Sequence, residues 1–262
     1  LNELCKLKMA NIDIETEQQI RESWIDNDIR NCPIRRSWED IFNKIFNMPV
    51  IKSNIEKFIE NEKDKIILPS KYKIFNCFNA CSFKKIKVVI IGQDPYHSKF
   101  NEAQGFSFLV PKEFVEITIN SNSKAPSKFI APPSLKNINK EVMSDTGKYC
   151  GNLEGWVNQG VLLMNASLTV EKNNAGSHMK YWGDLTNELI REISTQNKGI
   201  VFMLWGKFAQ SKEEYINKTK NHSILKATHP SPLAGGIGWF GCRHFSQANA
   251  LLLQKGKTVI EW

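Results

Sequence analysis

Nowhere in the 262 residues does an apolar run approach the ~20 residues that a membrane-spanning helix requires, so no ordinary helical span is expected. Cysteine is sparse and scattered: Cys5, Cys32, Cys77, Cys81, Cys150 and Cys242 form no Cys-x-x-Cys pair of the kind that opens a zinc or iron–sulfur site. Cys77 and Cys81 can share a helical face, but two thiols are too few to hold a metal alone. Free thiols in a reducing compartment are the expectation. The chain also lacks a GxGxxG fingerprint, a GK[ST] phosphate loop, an HExxH helix and a GxSxG elbow. Those absences count against dinucleotide enzymes, P-loop enzymes, zinc proteases and α/β-hydrolases in turn. No secretory signal pattern is visible after Leu1, and nothing about location follows from that.

What is present is an apolar content of 41%, enough for one sizeable core, and an excess of base. Thirty-five Lys and Arg against 27 Asp and Glu give a net charge of +8, which suits a polyanionic partner. Many of the lysines lie in Lys/Asn/Ile-rich stretches, so charge supports such a partner without deciding it.

Four short runs punctuate the middle and end of the chain: Ile86–Ile91, Val161–Met164, Ile200–Leu204 and Ile224–Ala227. The first three read as buried strands, and the fourth is ambiguous by pattern. Helix-like stretches lie between them: Ser134 followed by LKNINKEVM, then YWGDLTNELIREIS and KFAQSKEEYIN, with HFSQANALLLQKG ending on Gly256. Strands separated by more than thirty residues with helices between predict parallel β-α-β units and a single open α/β sheet. Residues 1–36 read as an N-terminal extension, partly helical or loosely ordered, and 37–262 as a single domain. In SWEDIFNKIF, Trp38, Ile41, Phe42, Ile45 and Phe46 make one apolar helix face. The Ser/Asn/Lys-rich stretch 112–130 reads as a surface insertion within that domain.

Each strand run ends in a distinctive turn. The first gives Gln93, Asp94, Pro95, Tyr96 and His97; the second Asn165; the third Trp205 and Gly206; the fourth His229, Pro230, Ser231, Pro232 and Leu233. Open parallel sheets bind ligands beyond the carboxyl ends of their strands, so four such turns point to one shared pocket. Taken singly, each residue also has an ordinary structural reading. Asp94 before Pro95 can cap a turn, Asn165 can satisfy local backbone, His229 can be a structural hydrogen-bonder, and Phe108 in GFSF is by default core. A nucleotide-using α/β enzyme explains the sheet but not the missing phosphate loop, and a DNA-binding protein without chemistry stays open as the other reading.

VVIIGQDPYH and ATHPSPLA, with LLMNASLTV between them, resemble the uracil-DNA glycosylases of the uracil-N-glycosylase type. GFSF, APPSLKNI, MLWGKFAQ and GCRHF follow in that family's order, and the resemblance covers roughly Trp38 to the C-terminus. It implies a three-layer α/β sandwich with a central four-stranded parallel sheet flanked by helices. It also implies a monofunctional glycosylase that needs no cofactor or metal and releases uracil flipped out of single- or double-stranded DNA. The product is an abasic site, the first intermediate of base excision repair.

Carried onto this sequence, the resemblance makes Asp94 and His229 catalytic. Gln93, Tyr96, Phe108 and Asn165 become the uracil-binding residues, and Ser134, Ser231 and Leu233 the DNA contacts. His97, Pro132, Pro133, Pro230 and Pro232 support them. All three residues that an inactive relative would be expected to lose, Asp94, Asn165 and His229, are present. The implied partner is uracil-containing DNA, met by a monomer and not at a membrane. The N-terminal extension and the insertion are candidate contacts for replication or repair proteins. An intracellular site is implied, with nucleus, mitochondrion, bacterial cytoplasm and viral replication site not distinguished.

The chain departs from the family pattern in four places. SKFNEAQG after GQDPYH is one residue longer than usual and carries Gln104 in place of a histidine. Ala234 replaces the serine that usually ends the leucine loop. Ile237 stands for an arginine and GWFG for GFFG, and the 112–130 insertion has no counterpart in compact members. These changes bear on how DNA is held rather than on the pocket.

Overall fold

The four runs become the strands of one parallel sheet in the computed structural model, which describes residues 15–26, 28–115, 131–234 and 236–262. In chain order the strands are β1 (Ile67–Leu68), β2 (Val88–Gly92), β3 (Val161–Asn165), β4 (Val170–Glu171), β5 (Val201–Trp205) and β6 (Ser223–Ala227). The main sheet has the order β3-β2-β5-β6 with every pair parallel. β1 and β4 form a separate antiparallel ladder, two residues each, too short to show any periodicity in the sequence.

β2, β3 and β5 are buried along their whole length, which is why they read as unbroken apolar runs. β6 lies at the edge and is only half-buried before Ala227, which explains its ambiguous pattern. Its exposed Lys226 discourages pairing with another chain.

Helices Arg36–Phe46, Pro49–Asn61 and Met179–Gln196 pack on one another, and Pro133–Thr146 packs on His244–Gln254. The helices flank the sheet, as the sequence predicts. The apolar face of Arg36–Phe46 buries Trp38, Ile41, Phe42 and Ile45. Trp38 meets Phe78 and Phe83 edge-on, each with ring centroids 4.9 Å apart, and Phe42 meets Phe75 and Phe78 at 5.1 Å. Such edge-to-face pairs add directional stabilisation to their area burial.

Three local expectations are refined. Ser134 does not cap its helix: the helix starts at Pro133 and Ser134 sits in the first turn without a capping bond. Proline needs no N–H partner there and its φ is already helical, so Pro133 starts the helix and leaves the Ser134 hydroxyl free of that duty. KFAQSKEEYIN is a short α-helix, Lys207–Ser211, running into a 3-10 turn, Lys212–Tyr215. Gly256 lies just beyond the last helix with φ +67, a left-handed stop that glycine adopts without strain.

The described part of the N-terminal stretch is docked on the protein. Thr16 caps helix Glu17–Ser23 in a reciprocal capping box, and Ile20, Trp24 and Ile29 are buried. Trp24 donates its indole N–H to Pro69 O at 3.0 Å. Residues 1–14 and 116–130, the latter comprising most of the predicted insertion, lie outside the described residues. Among the described residues no helix is long and apolar enough to cross a membrane.

Candidate active site

The parallel register sets Gly92 beside Asn165, and Trp205 beside Ala227, so four strand ends finish in one row. Beyond the strands, Ala166 N–H donates to Gly92 O and Ser167 N–H to Gln93 O, each at 2.9 Å. These bonds tie the turn after β2 to the turn after β3. The GFSF segment joins the same edge, with Ser107 N–H donating to Leu163 O at 3.1 Å. Together with the loop after β6 they enclose a cavity of about 550 Å³.

Every catalytic, base-binding and DNA-contacting residue expected from the sequence lines this cavity, together with His97. The four prolines do not line it. Pro132 and Pro133 start the helix that presents Ser134, Pro230 O accepts from Asn137 Nδ2 at 2.8 Å, and Pro232 opens a 3-10 turn through Ala234. The Asn137 bond joins that helix to the leucine loop.

Two positions need a missing side chain. A Cβ on Gly92 would lie 2.2 Å from Asn165 Oδ1, and one on Gly105 would lie 1.7 Å from Lys73 O. Gly92 thereby lets the Asn165 amide fold against the strand end, where Asn165 Nδ2 donates to Phe106 O at 3.4 Å. Phe108 is a non-glycine residue at φ +62, a costly backbone conformation of the kind that clusters at working sites. Its ring leans on Trp205 and His229 with centroids 5.6 and 5.8 Å away, and its carbonyl accepts from Tyr96 OH at 3.4 Å.

The Asp94 carboxylate takes two hydrogen bonds on Oδ2, from Gln93 Nε2 at 3.0 Å and from Gly176 N–H at 3.2 Å. Oδ1 is buried and has no protein partner. Burial pushes the Asp94 carboxyl above its ordinary value, against the opposing hydrogen bonds from Gln93 and Gly176 and the charge of His97. His97 holds the neighbouring loop through its backbone, accepting from Asn173 N–H at 3.0 Å, while its Nδ1 is buried and unpartnered.

Across the site, Ser231 N–H donates to His229 Nδ1 at 3.0 Å. A nitrogen that accepts a hydrogen bond carries no proton, so the imidazole is neutral with its proton on Nε2. Burial lowers the His229 pKa and favours the same form. Leu233 stands at the tip of this loop with 99% of its surface exposed, an unusual position for a leucine. Its N–H donates to Ser231 Oγ at 3.3 Å.

The altered loop after His97 folds inward. Gln104 is fully buried and donates from Nε2 to Asn101 O at 2.8 Å. The Asn101 side-chain amide in turn accepts from Glu15 N–H and donates to Glu15 O, so the N-terminal stretch closes over this loop. Gln104 is structural glue here and does not line the cavity. Ala234 does line it, and Ile237 is 85% exposed beyond it. The residues that sequence reasoning passed over are Gly176, which serves Asp94, and Phe106, whose carbonyl holds Asn165. The only trace of the first is a glycine in NNAGSH after β4, and a backbone donor leaves no side-chain signature.

The profile of the uracil DNA glycosylase superfamily matches residues 78–253. A uracil-DNA glycosylase of Flavobacterium johnsoniae is 45% identical over 232 residues, covering 86% of this chain and 97% of that one. One from Campylobacter hominis is 44% identical over 239 residues, covering 89% and 94%. Among solved structures, the mimivirus uracil-DNA glycosylase superposes with a TM-score of 0.79 at 25% identity, over 96% of this chain and 95% of that one.

Proposed function

The chain belongs to the uracil DNA glycosylase superfamily, and on that premise we propose how its own residues release uracil from DNA. The bond broken is C1′–N1, water supplies the oxygen, and free uracil and an abasic site result. A base inside the duplex is out of reach, so the target nucleotide leaves the stack at a cost of about a few kcal/mol. Ser134 and Ser231 hold the backbone on either side through phosphate contacts, and Leu233 enters the space the base has left.

In the pocket Phe108 stacks on the uracil ring. With one Asn165 N–H held by Phe106 O, the other is left for uracil O4, and Oδ1 for N3–H. Cytosine presents the reverse pattern, and an unpaired buried amide costs about 1–3 kcal/mol. The Tyr96 ring, anchored through Phe108 O, stands where the C5 methyl of thymine would go, so thymine is excluded by collision. Gln93 braces Asp94 and touches the base with its backbone.

As C1′–N1 lengthens, negative charge collects on uracil O2 and positive charge on the sugar. The observation that carries this reading is the His229 tautomer: Nδ1 accepts from Ser231, so Nε2–H is a neutral, oriented donor for O2. The Asp94 carboxylate, half-buried in the cavity wall, holds the attacking water and faces the sugar's positive charge. As the water oxygen bonds to C1′, its proton passes to Asp94, and uracil departs as the anion held by His229.

One hydrophobic cluster runs from Trp24 to Trp262, which supports reading 37–262 as a single catalytic domain with the described part of the extension docked on it. Monomeric action inside the cell, and contacts with repair or replication proteins through the extension or the insertion, belong to the same proposal. The test is uracil release from an oligonucleotide in EDTA, read by cleavage at the abasic site. The chain should act on single and double strands, and Asp94→Asn should lose about 10²–10⁴-fold in rate. Equal rates for the two proteins would sink the assignment. Tyr96→Ala should begin to release thymine, and continued rejection would show that the wall is elsewhere.

A further inference from the structure

Two residues beyond Gly176, which serves Asp94, begins a second polar cluster, buried at its centre and separate from the cavity. His178 is 0% exposed and Glu62 1%. His178 Nε2 lies 3.2 Å from Glu62 Oε2, and Nδ1 lies 2.8 Å from Thr169 Oγ1. Trp182 donates its indole N–H to the same Thr169 oxygen at 2.6 Å, and Tyr181 donates its hydroxyl to Glu62 Oε1 at 2.8 Å. Lys65, a partly exposed side chain, adds a salt bridge to the same Glu62 Oε2 at 2.9 Å.

The proton positions in this cluster follow from what each group can do. A carboxylate only accepts, so His178 Nε2 carries the proton that faces Glu62. Burial lowers the His178 pKa to about 4, opposed by Glu62, and the ring is neutral. Nδ1 is then an acceptor. Thr169, already accepting from Trp182, gives its one hydroxyl proton to it. The chain of donors through His178 is fixed at both ring nitrogens.

Such a rigid arrangement sits two residues from Gly176, whose N–H donates to Asp94. His178 is also the residue before helix Met179–Gln196, yet its side chain makes no capping bond. It is turned inward instead. Gly176 O accepts from Met179 N–H at 3.2 Å, so the helix start and the Gly176 peptide move together. Ser177 Oγ accepts from Glu171 N–H at 2.9 Å and ties the same turn to β4. Gly176 itself has φ +76, so the direction of its N–H depends on how the turn is held from both sides.

We infer that His178, locked between Thr169 and Glu62, is a positioning residue that aims the Gly176 N–H at Asp94 Oδ2 and so fixes the orientation of the carboxylate that holds the water. The inference rests on the glycosylase mechanism proposed above, but its first consequence can be read without activity. Losing the Gly176 bond removes a donor that favours the ionised carboxylate, so the Asp94 pKa rises.

The experiment compares the full chain with His178→Phe and His178→Gln. Gln keeps one acceptor and one donor about as far apart as the ring nitrogens, and Phe keeps only the shape. Asp94 is titrated by carbonyl carbon NMR, and uracil release is measured in single turnover on a short uracil oligonucleotide across acid pH. Phe should raise the Asp94 pKa, move the acid limb of the rate to higher pH, and cut the rate by about 10- to 100-fold with KM little changed. Gln should restore most of both.

The groups facing His178 are Glu62, Lys65, Glu171, Thr169 and Tyr181; those facing Asp94 are Gln93, Gly176 and His97. None of them changes in either variant. Should Phe prevent folding, Glu62→Gln loosens the clamp from the other end and should shift the same two readouts in the same direction by less. A folded Phe variant with an unmoved Asp94 titration overturns the inference, as does an unmoved titration in Glu62→Gln if Phe does not fold. A wild-type chain that releases no uracil, with the Asp94 shift intact, overturns the mechanism but not the clamp.

Discussion

His178, fully buried, and His229, half-buried at the cavity wall, differ in what the protein leaves unsatisfied. His178 has both ring nitrogens bonded to protein, and its ring is shut in by the edges of Phe58 and Tyr181 at 5.4 and 6.0 Å. His229 has one nitrogen bonded, to the Ser231 N–H, and its other edge opens on the cavity. Burial makes both neutral. The lesson is that burial sets the protonation state while the count of partners sets the role. A saturated imidazole is a fixture, and one with a spare N–H is a reagent.

Of the two histidines, the larger effect on the chemistry should come from removing the spare donor. His229→Phe keeps the ring packed against Phe108 but withdraws Nε2–H from the leaving group. Loss of one such donor costs about 10²–10³-fold in the chemical step. Single-turnover uracil release should fall by that amount with binding of abasic DNA unchanged. A fall in binding alone would mean that His229 holds DNA and does not assist departure.

The second prediction concerns stability, and it separates the histidines the other way. His178 has a folded pKa of about 4 against an ordinary 6.5. Below pH 6.5 the unfolded chain takes up a proton that the folded chain refuses, so its contribution is fully present above 6.5 and declines as pH falls toward 4. Over that window the lost stability amounts to ~3 kcal/mol. Glu62 works against an early collapse: burial raises its pKa, but Lys65, Tyr181 and His178 outweigh this and hold it below the usual carboxylate range. Denaturant midpoints measured from pH 7 to pH 4 should fall in the wild type and stay flatter in His178→Gln. Parallel curves would show that other groups govern acid stability.

Much of this contrast was legible in the sequence on one side only. The four strand runs, the turns that follow them and the GQDPYH and HPSPL stretches marked out Asp94, Asn165 and His229, because buried runs and polar turns differ sharply in composition. The pairing of β1 with β4 and the Gly176 contact were not legible. Two-residue strands have no period, and a backbone N–H looks the same at every position except proline. His178 was silent for a related reason: its partners Glu62 and Thr169 come from a helix end 116 residues away and a turn nine residues away, and only the fold brings them together. Ser134 showed the opposite failure, since its type fits an N-cap but Pro133 beside it is the better helix start.

The open corner also carries the smallest effect expected here. Leu233 touches little in the free protein, so Leu233→Ala should leave stability unchanged. Its work begins when a duplex is present, where a side chain filling the vacated stack opposes return of the base. In a single strand there is no partner base to displace and little stack to refill. Uracil release from duplex DNA should therefore drop by about tenfold, a share of the few kcal/mol that extrusion costs, while release from single strands stays near the wild-type rate. A variant equally slowed on both substrates would place Leu233 in the shaping of the His229 loop, through its N–H bond to Ser231, and the two histidine corners would then be alike in being held from within.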